Sequence, residues 1–335
     1  MLNGRINVIG AGYWGINLVR NFHALKVLAS VCDISPSTLT SIQKKFPAIL
    51  VEPEVDKLFL QKDMQALVIS TPAVTHFELA KKALEHHKDV FVEKPLALKY
   101  SEALQLVELA KGNNLILMVG HLLQYHPGML KLKDLVSNGE LGTIEYIYSN
   151  RLNLGKIRRE ENALWSFAPH DISIMLWLLE SMPIQVNAVG GNYLQPNVAD
   201  TTISTFLFDN GVRGHIYVSW LHPFKEQRLI VVGSRKMASF NDMAPPGHKL
   251  ILYDKKVSVI NGNLVAEKAE GVTIPFDEET EPLRAECEHF IHCIETRSKP
   301  RTDGEEGLRV LKVLQCCQRS LQMNGQPVQV MEYHD

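Results

Sequence analysis

The sequence predicts an α/β amino-terminal domain on a doubly wound parallel sheet, followed by an α+β domain with an open, mostly antiparallel sheet. Three observations carry this. An apolar strand, Ile6-Asn7-Val8-Ile9, runs directly into Gly10-Ala11-Gly12-Tyr13-Trp14-Gly15 and then a helical run bearing Ile16, Leu18, Val19, Phe22 and Leu25. Short apolar runs and helices then alternate to about Gly120, as a parallel sheet requires because crossover helices must cover both of its faces. Beyond Gly120 the segments lengthen and alternate, two of them joined by the hairpin turn Asp209-Asn210-Gly211.

The elements follow in order. After a strand at Val27–Cys32 come a helix over Pro36–Lys45, a short strand near Ile49–Val51 and the apolar strand Ala66–Ser70. A helix from about Thr75 to His87, the strand Val90–Val92 leading into Glu93, a helix over Tyr100–Lys111 and the strand Leu115–Val119 complete the first domain. A helix near Pro127–Ser137 opens the second, with alternating segments at Thr143–Arg151, Gln185–Tyr193, Thr201–Phe208, Val212–Trp220, Arg228–Val232 and Met237–Phe240. Helices return at Pro282–Arg297 and Gly304–Met323. The domains are expected at 1–121 and 122–335, with the C-terminal helix packing back on the first. So large an open sheet leaves a face uncovered, and a second subunit is expected there, in a homodimer or homotetramer.

At 335 residues, with 45% hydrophobic and 21% charged residues, the chain can build two substantial cores. A net charge of −2 without a basic run argues against a nucleic-acid partner. No apolar signal region precedes the first strand and no stretch is long enough to span a bilayer, so a cytoplasmic protein with no membrane partner is expected. Cys32, Cys287, Cys293, Cys316 and Cys317 lack metal-site spacing. They are expected as reduced, mostly buried thiols, and no metal site is expected.

The glycine motif has a mechanical reading. Gly10 turns the chain out of the strand, Gly12 lets bare backbone approach a pyrophosphate, and Gly15 lets the helix pack closely. A dinucleotide pyrophosphate would rest on the N–H groups of the helix N-terminus. Asp33, at the end of the second strand, suits the adenosine ribose hydroxyls and repels a 2'-phosphate, which favours NAD over NADP; its other reading is a residue at the start of the Pro36 helix. Glu93-Lys94-Pro95 puts a lysine at the carboxyl edge of the same sheet. Together these marks read as hydride transfer.

The glycine motif, Asp33, Ser70-Thr71-Pro72 with His76, Glu93-Lys94-Pro95 and Pro169-His170-Asp171 together resemble the glucose-fructose oxidoreductase, inositol dehydrogenase and rhizopine catabolism (Gfo/Idh/MocA) family over essentially the whole chain. Within it, Gly120–Pro127 and Asn150–Arg159, followed by Trp165–Asp171, look like the nucleotide-sugar branch. The resemblance implies a Rossmann domain and NAD-dependent oxidation of the 3'-hydroxyl of a UDP-sugar, UDP-N-acetylglucosaminuronic acid first, in surface polysaccharide biosynthesis. A dehydrogenase of free sugars or inositols, or a noncatalytic NAD-binding regulator, stands as the alternative.

The resemblance also places residues. It puts Lys94 and His170 at the chemistry, His170 as base and Lys94 as ligand to the hydroxyl and oxyanion, because a histidine titrates near working pH unaided. Gly10, Gly12, Tyr13, Trp14, Gly15, Asp33, Ser70, Thr71, His76, Glu93 and Lys94 are expected at the cofactor. Tyr125, Arg151, Asn153, Arg158, Arg159, Trp165, Ser166, His170 and Asp171 are expected at the substrate, the arginines for its diphosphate and carboxylate. The family often carries an aspartate four residues before the histidine; here that position is Ser166, which leaves the group that orients His170 open, Asp171 included.

Overall fold

The computed structural model describes residues 5–61, 63–155, 157–159, 161–267 and 270–332. Lys156, within the arginine-bearing run, lies outside them. Contacts divide the chain into two compact units: one of residues up to Tyr125 with Glu281–Leu311, the other of His126–Thr280 with the chain from Lys312.

The first unit alternates strand and helix: β1 (Ile6–Ile9), α1 (Gly15–Ala24), β2 (Leu28–Cys32), α2 (Pro36–Lys45), β3 (Leu50–Glu52), α3 (Val55–Phe59), β4 (Ala66–Ile69), α4 (His76–Glu85), β5 (Asp89–Glu93), α5 (Tyr100–Gly112) and β6 (Leu117–Gly120). The six strands form a parallel sheet in the order β3-β2-β1-β4-β5-β6, the doubly wound arrangement the sequence predicts. Strands β1, β4, β5 and β6 are buried along their whole length, which is why they read as unbroken apolar runs. Local chemistry sets the helix starts: Ser35 accepts from the Thr38 N–H and Pro36 fills the first turn of α2.

The second unit opens with α6 (Pro127–Ser137), β7 (Ile144–Leu152) and α7 (Ala163–Leu179). There follow β8 (Pro183–Gly191), β9 (Thr201–Phe208), β10 (Arg213–Ser219), β11 (Glu226–Gly233), β12 (Lys236–Asn241), β13 (Leu250–Asp254), a separate hairpin of β14 (Lys256–Ile260) with β15 (Asn263–Glu267), and β16 (Val272–Thr273). Nine strands make its main sheet, β16-β13-β12-β11-β7-β10-β9-β8-β17, where β17 is Val328–Gln329. It is antiparallel except at the β7–β10 pair. Helix α7 packs on strands β7, β9 and β10 and buries most of its residues.

Between β16 and β17 lie α8 (Pro282–Thr296) and α9 (Gly304–Gln322). The expected boundary at residue 122 omits α8, which belongs to the first unit: Phe290 meets Phe22 and Phe91 edge-on at 6.4 and 5.7 Å inside its core. All five cysteines are buried and free. Among the described residues no helix is long and apolar enough to cross a membrane.

Candidate active site

The glycine loop is held by contacts only glycine permits. A Cβ on Gly10, whose φ is +89°, would stand 2.9 Å from the Ser70 carbonyl, and one on Gly15 would stand 2.1 Å from the Gly10 oxygen. At Gly12 nothing lies within 4 Å of where a Cβ would be, so the loop has an open face where a pyrophosphate can approach the backbone. Asp33 braces the loop while remaining at the end of β2: Oδ2 accepts from Ala11 N–H at 2.8 Å and Oδ1 from Ser35 N–H at 2.9 Å. Each oxygen keeps lone-pair capacity for a ribose hydroxyl. The glycine cradle and the acid at the strand end fit a dinucleotide.

At the ends of β4 and β5 the side chains are committed to shaping loops. Ser70 donates its hydroxyl to the Gly10 carbonyl at 2.6 Å, and the Thr71 and Thr75 hydroxyls bond at 2.7 Å. His76 is buried between two main-chain carbonyls. Glu93 is buried as well; Oε1 accepts from the Trp14 indole N–H at 2.5 Å and Oε2 from the Lys94 N–H at 3.3 Å. Burial raises its pKa, against the lowering pull of Trp14 and Lys94. Lys94 itself is half-buried and precedes a cis peptide bond to Pro95. Tyr13 stands exposed on the glycine loop.

Four participants here received no individual role from the sequence, which offered Gly120–Pro127 only as a stretch that carries the family resemblance. A Cβ on Gly120 would lie 2.9 Å from Glu93 Oε2, so the glycine ending β6 makes room for that carboxylate. His121, wholly buried next to it, bonds Glu306 through Nδ1 at 2.5 Å, and Gln124 donates to the other Glu306 oxygen at 2.9 Å. The sequence signals were the resemblance of Gly120–Pro127 and the position of Gly120-His121 at a strand end in the sheet that carries Glu93; nothing pointed to Glu306.

Tyr125, expected at the substrate, is packed into the first unit. It is 2% exposed, its hydroxyl lies 3.0 Å from Thr302 Oγ1, and its ring packs under the Arg301 guanidinium and against His289.

In the second unit, α7 carries Trp165, Ser166, His170 and Asp171. Asn162 caps it, its Oδ1 accepting from Trp165 N–H at 3.2 Å. Pro169 sits inside the helix and brings no N–H for the Trp165 carbonyl, an arrangement tolerated because the helix is packed on the sheet. His170 is half-buried and Ser166 buried. Asp171 points to β7: its Oδ2 accepts from Arg151 Nε at 2.7 Å, and its Oδ1 from Arg151 Nη2 at 3.0 Å and Ser149 Oγ at 2.5 Å. Ser149 and Arg151 share one strand face because side chains alternate.

The arginines therefore divide. Arg151 is a half-buried partner of Asp171, whereas Arg158 lies exposed and paired with Glu161 at 3.0 Å. Arg159 is exposed on the same loop, and Asn153 bonds the Ser219 carbonyl through its N–H at 3.0 Å. The Trp165 indole N–H donates to Gln318 at 3.0 Å, at the edge of a cavity of about 640 Å³ lined also by Gln315, Arg319, Gln322 and Gln329.

Comparison with known proteins agrees with this architecture. Residues 4–121 match the description "Oxidoreductase family, NAD-binding Rossmann fold", and residues 129–239 match the GFO/IDH/MocA C-terminal domain. The chain is 28% identical over 212 residues to 2,7-anhydro-N-acetylneuraminate hydratase of Mediterraneibacter gnavus, covering 61% of this chain and 56% of that protein. It spans about half the length of that relative and of an uncharacterized oxidoreductase of Streptococcus pneumoniae, at 56% and 53%. With UDP-N-acetylglucosamine 3-dehydrogenase of Acidithiobacillus ferrooxidans it shares 26% identity over 312 residues, 93% of this chain and 95% of that one. The solved structure of that dehydrogenase superposes with a TM-score of 0.84 at 24% identity, covering 96% of this chain and 98% of the other. Scyllo-inositol dehydrogenase of Lactobacillus casei, solved with bound NAD(H), gives 0.79 at 18% identity, covering 98% and 99%. The first domain is thus an NAD-binding Rossmann domain. With the two descriptions matched across most of its length, the chain belongs to the GFO/IDH/MocA oxidoreductase family.

Proposed function

We propose that the protein is an NAD-dependent dehydrogenase that oxidises the 3'-hydroxyl of a UDP-linked N-acetylhexosamine. The observation that carries this reading is the nearly full-length match to UDP-N-acetylglucosamine 3-dehydrogenase, together with the presence of Lys94 and His170 in the motifs that carry the family resemblance. Two of the three candidate arginines are already paired, which favours a C6 alcohol over the uronic acid. A C6 carboxylate calls for a cation with charge to spare. Arg151 and Arg158 are each already paired with a carboxylate, Asp171 and Glu161.

The glycine loop and Asp33 would hold NAD, which would supply the hydride acceptor facing the carbinol carbon. His170 takes the hydroxyl proton at a ring nitrogen, and the Lys94 ammonium stabilises the negative charge growing on that oxygen. Glu93, buried and fixed by Trp14 and the Lys94 N–H, holds the lysine turn in place. Asp33 serves the adenosine ribose.

The test is NADH formation, followed by absorbance, with UDP-N-acetylglucosamine, UDP-N-acetylglucosaminuronic acid, free N-acetylglucosamine and inositols as substrates. Turnover of a UDP-sugar alone supports the reading. Turnover of free sugars or inositols with no effect of UDP would replace it with the free-sugar dehydrogenase, which relatives such as inositol 2-dehydrogenase of Acidothermus cellulolyticus keep in view at 27% identity over 193 residues.

A further inference from the structure

His76 begins α4 and is 1% exposed. Both of its ring nitrogens face main-chain carbonyls: Nδ1 lies 2.7 Å from the Pro95 oxygen and Nε2 lies 2.9 Å from the Thr71 oxygen. The first carbonyl belongs to the residue after Lys94. The second belongs to the loop after β4, whose Ser70 hydroxyl is fastened to the glycine loop. One ring thus spans the loop that follows β4 and the lysine turn that follows β5, at the carboxyl edge of the sheet.

A carbonyl can only accept, and a neutral imidazole donates once. Burial, with a smaller contribution from Lys94, holds the ring below the ordinary histidine pKa against the opposing pull of the two carbonyls. At neutral pH there is one ring proton for two acceptors, and the nitrogen that carries it decides which loop is held. The shorter contact is to Pro95.

We propose that His76 is the positioning residue of Lys94: the proton on Nδ1 bonds the Pro95 carbonyl and so fixes the Lys94–Pro95 turn against α4. The hydrogen-bonding side chain is sealed from solvent, so His76 acts through the turn it holds and not by touching cofactor. The consequence for turnover rests on the proposed role of Lys94; the bond itself does not.

Asparagine carries an amide donor close to where Nδ1 stands, and glutamine carries one close to where Nε2 stands. His76→Asn and His76→Gln therefore restore one bond each. In the NAD-loaded protein, three readouts are taken: the ¹⁵N spectrum of labelled histidines in the wild type, the pH profile of Lys94 acylation read by peptide mass spectrometry with exposed lysines as internal reference, and kcat. The expected results are an Nδ1–H tautomer for His76, a Lys94 acylation profile preserved in His76→Asn and shifted in His76→Gln, and a kcat that falls roughly tenfold or more in His76→Gln alone, since small misplacements of a reacting group carry penalties up to about a hundredfold. An Nε2–H tautomer, or Lys94 acylation unchanged in both variants, overturns the proposal; so does an equal shift in both, which would mark a general packing role. A shifted acylation profile in His76→Gln with unchanged kcat upholds the positioning and removes Lys94 from the chemistry. The wild-type spectrum decides the tautomer even where a variant does not fold.

Discussion

Removing Asp171 should unfold the second unit more readily than it impairs substrate binding, and the same holds for Arg151. The Asp171 side chain is 3% exposed and that of Arg151 12%, and two parallel N–H···O contacts of 2.7 and 3.0 Å join them, with Ser149 adding a third bond. In Asp171→Ala the guanidinium stays buried without its counter-charge, a cost of about 3–5 kcal/mol for breaking such a pair from one side. For a unit of this size that corresponds to a fall in Tm of roughly 6–20 °C, at about 2–4 °C per kcal/mol. Arg151→Ala strands the carboxylate and should cost a similar amount. The double variant Arg151→Met/Asp171→Leu removes both charges and fills the volume, so it should recover most of the loss, because a buried ion pair is worth little over apolar packing. Ser149 keeps an acceptor in that variant, the Arg228 carbonyl at 3.3 Å. The assay is calorimetric Tm on the three variants beside Michaelis constants for the UDP-sugar. If Arg151→Ala melts within about 2 °C of wild type while its KM rises about tenfold, at about 2–4 °C per kcal/mol, then Arg151 is a substrate ligand and the reasoning from burial fails.

Three further outcomes follow from the sites described. The wild type should bind NAD(H) at least about tenfold tighter than NADP(H), about 1.4 kcal/mol, and Asp33→Ser should narrow that gap; equal affinities in titration calorimetry of the wild type would remove Asp33 from cofactor choice. His170→Asn should lower kcat by roughly a hundredfold to ten-thousandfold with NAD affinity nearly intact, and Lys94→Met should cost a comparable rate; a near-normal His170→Asn enzyme would hand the proton to another group. The face of the nine-stranded sheet that shows Tyr146, Ile203 and Val189 at 41, 46 and 50% exposure, beside the stacked Tyr148 and His215 rings, is expected to be covered by a second copy. Light scattering should then give a dimer or tetramer for the wild type and smaller species for Ile203→Glu; a wild-type monomer at micromolar concentration refutes this.

The sequence made the first unit legible because its physics is local. Short apolar runs bounded by turn residues and alternating with amphipathic helices read as strands buried on two faces, and the glycine spacing has meaning only between such a strand and a helix; both were present around Gly10–Gly15. Helix α7, which carries His170, was not read as a helix. Ala163–Leu179 is buried on nearly every side, so no 3.6-residue stripe separates a wet face from a dry one, and Pro169 reads as a breaker although packing overrides it. The short strands β13 to β17 were missed for the opposite reason, since several are exposed and too brief to show a period.

The roles of polar side chains were the least legible part, and the reason is the same at each position. A sequence names a donor or an acceptor but not its partner, and inside a protein the partner decides the use. Arg151 looked available for a substrate anion until Asp171, twenty residues on, was found to hold it; nothing in the spacing between a strand and an unrecognised helix could pair them. Tyr125 looked like a pocket aromatic because Thr302 and Arg301 lie far along the chain, in a segment that folds with the first unit. His76 looked like a cofactor contact because it stands in the right loop, whereas its two nitrogens are turned to the main chain. What keeps capacity for a ligand after this sorting is Asp33, whose oxygens retain lone pairs beyond the Ala11 and Ser35 N–H bonds, and the open face of Gly12. Both features belong to the strand–turn–helix–strand pattern, and for that reason the dinucleotide was the part of the function that the sequence could support most directly.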